Sequence, residues 1–478
     1  MSSVAGSAVA ERTDGGKPGG EKLGGDSADS AFLVSRYGGR APRYTSYPTA
    51  VQFSADVGAA DYAAWLAALR PQDGPASLYL HIPFCDRMCW YCGCHTAVVN
   101  RRKPIEDYVG NLLREIDIVA AALPHRLSAS AVHFGGGTPN MLAPSEFAAI
   151  LDRLRARFDF TADAEIAVEL DPRLLTPEWV KTAAAAGMNR ASLGAQDFQP
   201  DVQQAINRIQ PYELVRAAAA ELRQAGVVSL NLDLMYGLPR QTLVSLESTI
   251  DQAISLNPER LSLFGYAHVP WMKAHQKLIR EDELPEAILR YEMQRRAAEI
   301  LGARGWTRLG LDHFANPADS LARAAADGRM RRNFQGYTTD NATTLIGFGA
   351  SAIGALPQGY VQNASAVPKW REKIVAGELP VVRGVSATAD DKFRAEIIER
   401  LMCDLGVDLA DVCARHGRAL DELAYAWPRL DEMAADGLLV RRGPVIEAKP
   451  IGRDFIRSIA TVFDAYLDAE AARHSLGV

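Results

Sequence analysis

The 478-residue chain has no run of 18 or more apolar residues, so no helix is expected to span a membrane. It also lacks a positive excess: 52 Lys and Arg stand against 58 Asp and Glu, a formal net charge of −6. That balance gives no footprint for nucleic acid, while leaving room for a local basic pocket that takes a small anion. Cysteine is scarce and unevenly spread. Of six, Cys85, Cys89, Cys92 and Cys94 fall within ten residues, and Cys403 and Cys413 lie far away. A disulfide framework distributes its cysteines, whereas a tight group of thiols in a reducing compartment points to metal. Residues 1–36 are rich in Gly, Ser, Ala and charge and have no apolar segment long enough for a signal peptide; a disordered tail and a cytoplasmic protein are expected. No heptad seam is present, so a monomer is expected.

What the sequence does contain is an alternation. Short apolar segments with strand character recur at Ser77–Ile82, Ala131–Phe134, Ile166–Leu170, Arg190–Leu193, Ser229–Met235 and Arg260–Phe264. Helical patterns lie between most of them: Ile105–Ala121, Ser145–Phe158, Pro177–Ala186, Pro211–Ala225 and Thr242–Leu256. Strands alternating with helices predict parallel βαβ units and an α/β fold. Six units make a partial (β/α)6 barrel whose site lies at the C-terminal ends of its strands. Residues 37–75, with the irregular segment RYTSYPT (Arg43–Thr49), form an N-terminal arm. Residues 76–385 form the barrel domain with an extension. Residues 386–478 form a small helical domain: helices over Asp391–Leu405, Asp408–His416 and Ala419–Ala435, the last interrupted near Pro428, a winged hairpin over Gly437–Ile446, and a last helix over Ile451–Leu467.

The cysteine group follows the first strand directly and therefore sits on a loop at its C-terminal end. Thiolates are the usual ligands of iron–sulfur clusters, and three from one loop can hold three irons of a [4Fe–4S] cluster, leaving the fourth iron for a small ligand. Zinc is the competing reading, but it favours four closed ligands in two separated pairs. The glycines Gly135, Gly136 and Gly137, followed by Thr138, come after the second strand, where missing side chains let backbone approach a ligand. Glu169, Gln196 and Asp233 each end a different strand and would face the barrel mouth; caps of local loops are the plainer reading for any one of them.

Taken with RYTSYPT, the segments LYLHIPFC (Leu78–Cys85), CGC (Cys92–Cys94), FGGGTP (Phe134–Pro139), ELDP (Glu169–Pro172), LGAQDF (Leu193–Phe198), NLDLMYGLP (Asn231–Pro239), YAHVP (Tyr266–Pro270), LDHFA (Leu311–Ala315) and NFQGYTT (Asn333–Thr339) resemble one family. It is the oxygen-independent coproporphyrinogen III oxidases, of the radical S-adenosylmethionine (SAM) superfamily. The resemblance runs from about Arg43 to the last helix. It implies a radical SAM barrel with Cys85, Cys89 and Cys92 as cluster ligands and two bound SAM molecules. Tyr79, Gly136, Glu169 and Ile353 match positions around the cluster-bound SAM. Tyr91, Gly137, Thr138, Gln196, Arg208, Asp233 and Ala267 match positions around the second. The implied reaction converts two propionates of coproporphyrinogen III to vinyl groups, giving protoporphyrinogen IX, with a reducing electron donor as partner. Cys94 is expected beside the second SAM or the substrate rather than on the cluster. Arg43 and Gln335 are the candidates for contacts with substrate carboxylates. Two alternatives stay open at this point: a related radical SAM enzyme that opens haem, and a haem chaperone. RYTSYPT and Cys94 weigh against both, and NFQGYTT against the first.

Overall fold

The computed structural model describes residues 26–467. All six predicted strands form: β1 (Ala76–Ile82), β2 (Ser128–Gly136), β3 (Asp159–Leu170), β4 (Arg190–Gln196), β5 (Ser229–Tyr236) and β6 (Arg260–Gly265). They pair in parallel in chain order. Alternation explains their two faces. On β1, Leu78, Leu80 and Ile82 join the core with Ile105, Leu112 and Ile116 of the first covering helix, while Ser77, Tyr79 and His81 alternate with them. The helices Lys103–Ala122, Pro144–Arg157, Pro177–Ala185, Tyr212–Gln224 and Leu243–Ser255 return the chain, close to their predicted bounds. Their starts are written locally. Thr176 accepts from the Trp179 N–H at 3.2 Å and Thr242 from the Ser245 N–H at 3.1 Å, as helix caps do.

The sheet continues past both ends of this set. β7 (Thr307–Leu309) and β8 (His313–Ala315) add beyond β6, and a hairpin, β9 (Arg331–Asn333) with β10 (Gly336–Thr338), follows. A seventh parallel strand, β11 (Thr344–Phe348), pairs with the free side of β1. The antiparallel β12 (Ile353–Leu356), β13 (Gly359–Asn363) and β14 (Val381–Ser386) complete a 12-stranded sheet in the order β14-β13-β12-β11-β1-β2-β3-β4-β5-β6-β8-β7. The curled sheet is not filled with apolar side chains, as a packed barrel would be. It encloses a hollow of about 230 Å³ lined by polar groups that include Glu165, Glu169, Arg190, Asp233, His313 and Gln335.

The C-terminal region has its expected helices at Ala389–Asp404, Leu409–Arg415 and Trp427–Ala435. Pro428 sits in the first turn of the last of these, where its missing N–H costs nothing. The winged hairpin, β16 (Leu439–Arg442) and β17 (Val445–Ala448), gains a third strand, β15 (Gly406–Asp408). Two expectations are corrected. The predicted helix Ile451–Leu467 is three short turns, Gly452–Phe455, Ile456–Ala460 and Thr461–Phe463. Ile456, Ile459, Ala460 and Phe463 are buried at the i, i+3, i+4, i+7 spacing of one helical face, so the pattern that predicted the helix is present although the backbone is broken into short turns. The expected tail 1–36 is not irregular throughout: Asp26–Tyr37 is an α-helix. Leu33 and Tyr37, one turn apart, are buried in the C-terminal core, with the Tyr37 ring 6.3 Å from that of Phe455. Residues 1–25 lie outside the described residues, as do 468–478.

The arm is stitched to the same region. Arg457 donates to the carbonyls of Ala41 and Pro42. The Tyr44 hydroxyl donates to Asp464 at 2.9 Å, and the Ala465 N–H donates to the Tyr47 hydroxyl at 2.8 Å. These bonds carry Arg43 to the open end of the barrel.

Candidate active site

A cavity of about 760 Å³ opens at the C-terminal ends of the strands. The loop after β1 brings Cys85, Cys89, Cys92 and Cys94 to it, and Tyr91, Gly136, Gly137, Thr138, Glu169, Gln196, Arg208, Asp233, Ala267 and Arg43 line it as well. Three sequence candidates stand elsewhere. Gln335 lines the hollow beneath. Tyr79 and Ile353 are absent from the cavity wall but adjoin each other through Gly347, which pairs with Tyr79 and whose Cβ position would lie 2.6 Å from the Ile353 carbonyl. Glu169, Ser192, Asp233 and Phe264 line both spaces, so cavity and hollow are continuous.

The cysteine loop has little regular structure of its own and is held by its backbone. The Trp90 N–H donates to Ile206 O at 3.0 Å, and Asn207 donates to Met88 O at 2.9 Å. Gln276 donates to Tyr91 O at 3.0 Å, His275 to Cys92 O at 2.7 Å and Lys273 to Cys94 O at 3.0 Å. Nothing in the sequence marked Gln276 or His275. Both sit in a featureless stretch after β6, and only the fold brings them to the loop.

Donors also surround the sulfurs. Thr96 and Thr138 hydroxyls lie 3.1 and 3.4 Å from Cys85 Sγ. The guanidinium groups of Arg208 and Arg173 lie 3.5 and 3.7 Å from Cys89 Sγ. Asp171 binds Arg173 at 2.6 Å and Arg208 at 3.3 Å. Burial pushes the Asp171 carboxyl up, but the two arginines outweigh it and hold it below its ordinary value. Burial raises the Cys85 thiol. The Cys94 thiol donates toward Cys92, which lowers Cys92 to about 6 and raises Cys94 well above an ordinary thiol. Among the described residues, no three Cys, His, Asp or Glu side chains converge tightly enough for a single ion. A cluster that spreads three thiolates over three irons needs no such convergence.

The glycines form a cradle. Gly136 has φ of +112°, and a Cβ there would stand 2.7 Å from the His81 ring. A Cβ on Gly135 would meet the Glu169 carboxylate at 2.9 Å, and one on Gly137 the Phe84 carbonyl at 2.6 Å. The Gly136 N–H donates to Glu169 at 3.2 Å, and His133 meets the same carboxylate at 3.1 Å. His81 donates from Nε2 to His95 O at 2.9 Å, which leaves Nδ1 to accept from the Tyr79 hydroxyl at 3.0 Å. Asp233 accepts from Ser192 and Asn231, each at 2.8 Å; burial nevertheless raises its carboxyl. Gln196, at φ of +64°, ends β4 at a bulge that turns it to the cavity. The donor set suits a thiolate-bound iron–sulfur cluster, and the glycine cradle beside two carboxylates suits a nucleoside ligand.

Comparison with known proteins agrees with this chemistry. The model of the radical SAM superfamily matches residues 79–253, and that of the HemN C-terminal domain matches residues 387–455. The chain is 47% identical to the oxygen-independent coproporphyrinogen III oxidase of Bradyrhizobium diazoefficiens, over 94% of this chain and 100% of the relative. It is 40% identical to that of Pseudomonas aeruginosa, over 91% and 96%. The solved structure of coproporphyrinogen III oxidase from Escherichia coli, described as a radical SAM enzyme, superposes with a TM-score of 0.85 at 37% identity, over 89% of this chain and 98% of that one. Fold, cysteine loop and sequence similarity converge: the chain belongs to the oxygen-independent coproporphyrinogen III oxidase family of radical SAM enzymes, which use a [4Fe–4S] cluster and SAM.

Proposed function

We propose that the protein catalyses the oxidative decarboxylation of two propionates of coproporphyrinogen III, giving the two vinyl groups of protoporphyrinogen IX. The observation that carries this reading is the convergence of Cys85, Cys89 and Cys92 with the Gly136–Thr138 cradle and Glu169 on one cavity. When bound, the cluster and SAM would supply one electron and a 5′-deoxyadenosyl radical able to take a hydrogen atom from the propionate carbon next to the pyrrole ring; loss of one electron to an external acceptor and of carbon dioxide would then leave the vinyl group. The chain's own residues do the positioning. Cys85, Cys89 and Cys92 hold the cluster. Arg173 and Arg208, fixed by Asp171, offset negative charge at Cys89. Gly136 lets the backbone close on the cluster-bound SAM, and Glu169 and Asp233 present carboxylates to hydroxyl groups.

Tyr79 and Ile353 are assigned to the first SAM. Tyr91, Gly137, Thr138, Gln196, Arg208, Asp233 and Ala267 are assigned to a second. Cys94 stays off the cluster, because a fourth thiolate would occupy the iron that SAM needs. Arg43, within 3.5 Å of the Gly265 carbonyl at the cavity wall, is placed to meet a substrate carboxylate. Gln335 lines the hollow beneath the cavity rather than its mouth and is not assigned a substrate contact. A monomer in the cytoplasm, served by a separate reducing protein, completes the reading; among the described residues no helix is long and apolar enough to cross a membrane. The test is anaerobic incubation of reconstituted protein with coproporphyrinogen III, SAM and a reductant. The expected products are protoporphyrinogen IX, two carbon dioxide, two methionine and two 5′-deoxyadenosine per substrate, with one electron passing to an acceptor in each round. Stoichiometric haem capture without SAM turnover would overturn the reading in favour of a haem carrier.

A further inference from the structure

The cavity of about 760 Å³ is the size of one drug-sized ligand site, which spans roughly 300–1,000 Å³. The cluster and the two SAM molecules proposed above would consume that space. A tetrapyrrole with four propionates cannot enter behind them, so most of the macrocycle must stay outside. The rim has what such a molecule needs. Trp271 is 58% exposed and Met272 62% exposed, adjacent in sequence beside the opening, in a protein whose large apolar side chains are mostly buried. Met272 and Lys273 line the cavity from one side, and Ala41, Pro42 and Arg43 of the arm line it from the other. The Arg40 guanidinium stands 5.0 Å from the Trp271 ring and ties the two rims together. Charge follows the same logic. The chain carries a net −6, yet Arg43, Arg87, Arg173, Arg208 and Lys273 line this cavity against Glu169, Asp171 and Asp233.

We propose that Trp271 and Met272 form the docking surface for the face of the tetrapyrrole, with Arg40 and Lys273 meeting the propionates that are not reacting. This rests on the function proposed above and specifies where its substrate sits. One propionate then projects past Arg43 into the cavity while the ring covers the mouth and excludes water. Because the ring lies on an apolar surface, it can be turned to present the second propionate after the first has reacted, without new polar contacts being designed for each. Trp271 and Met272 are specificity-determining residues in this scheme, and Trp271 stands outside the cavity lining.

The probe is coproporphyrin III, the oxidised and unreactive form of the ring system, titrated anaerobically against reconstituted protein and followed by quenching of tryptophan fluorescence. Trp271→Ala should weaken binding about tenfold or more and raise the KM for coproporphyrinogen III in parallel. Trp271→Phe should restore most of the affinity, and Arg40→Gln should flatten its dependence on salt. Iron content and melting temperature report whether each variant is folded. If wild-type protein binds the probe and Trp271→Ala binds it equally well, the rim assignment is wrong while the function stands. If wild-type protein neither binds the probe nor converts coproporphyrinogen III, the proposed function itself fails.

Discussion

Arg457→Met should unlatch the arm. The guanidinium donates to the carbonyls of Ala41 and Pro42 from a position that is only 3% exposed. Hydrogen bonds from a charged donor contribute about 1.5–3 kcal/mol each, and both carbonyls lose their partner together. Methionine keeps much of the volume, so the loss falls on the latch rather than on core packing. The two bonds together set the loss at about 3–6 kcal/mol; taking the lower end, the equilibrium between seated and released arm shifts on the order of 150-fold. Residues 41–47 would remain tethered by Tyr44 and Tyr47. The expected result is faster amide hydrogen exchange across residues 38–49 and a raised KM for the tetrapyrrole, as Arg43 loses its place. Cluster content should hold, because the cysteine loop is held by Ile206, Asn207, Lys273, His275 and Gln276, which this substitution leaves in place. Leu33→Ala is the companion. It should cost about 2–3 kcal/mol at its own helix and raise exchange over residues 26–37 while the arm stays seated. If Arg457→Met leaves exchange over 38–49 at the wild-type rate, the latch does not exist.

Three further outcomes are expected. Ser in place of Cys85, Cys89 or Cys92 should abolish iron, colour and SAM cleavage together, whereas Cys94→Ser should keep the cluster and lower protoporphyrinogen formation about tenfold, a barrier change of about 1.4 kcal/mol; product analysis beside iron determination separates the two. Gly136→Ala forces a side chain into φ of +112° against His81, a strain of about 1–3 kcal/mol, and should weaken SAM binding measured by equilibrium dialysis more than it reduces iron content. Glu115 is fully buried, and burial raises it from 4.5 to about 8 despite donors from Gly349, Trp370 and Asn363. Its contribution to stability is therefore full below its ordinary value and is lost as pH rises through about 8, so thermal melts should show a decline across that window which Glu115→Gln removes.

The barrel was legible because each core strand is a compact apolar run bounded by turn residues and followed by a helical period; Ser229–Met235 is typical. The edge additions were not. β7, β8 and β12 are three or four residues long and too short to show any period. The helix Asp26–Tyr37 escaped notice because its surroundings dilute its apolar content, although Leu33 and Tyr37 are correctly spaced for one face. In the site, the cysteine spacing and the glycine run announced themselves, since their chemistry is local to the sequence. The salt-bridged knot did not: Arg173 looks like any arginine after a proline until Arg208, from the other side of β4, shares Asp171 with it. Gln276 illustrates the same limit. Its three bonds, to Tyr91, Ala267 and Val269, are visible only in space.

The latch also has a meaning in time. Residues 41–47 leave the ribosome early, but their anchors, Arg457, Asp464 and Ala465, come from the last part of the chain. At 5–20 residues per second, the cysteine loop is exposed for on the order of tens of seconds before those anchors exist. The barrel therefore takes shape with one side of its mouth, the side that Ala41, Pro42 and Arg43 line, still unplaced. Seating of the arm therefore waits for residues 457–465, and a chain truncated before residue 457 would lack the anchors that place Arg43.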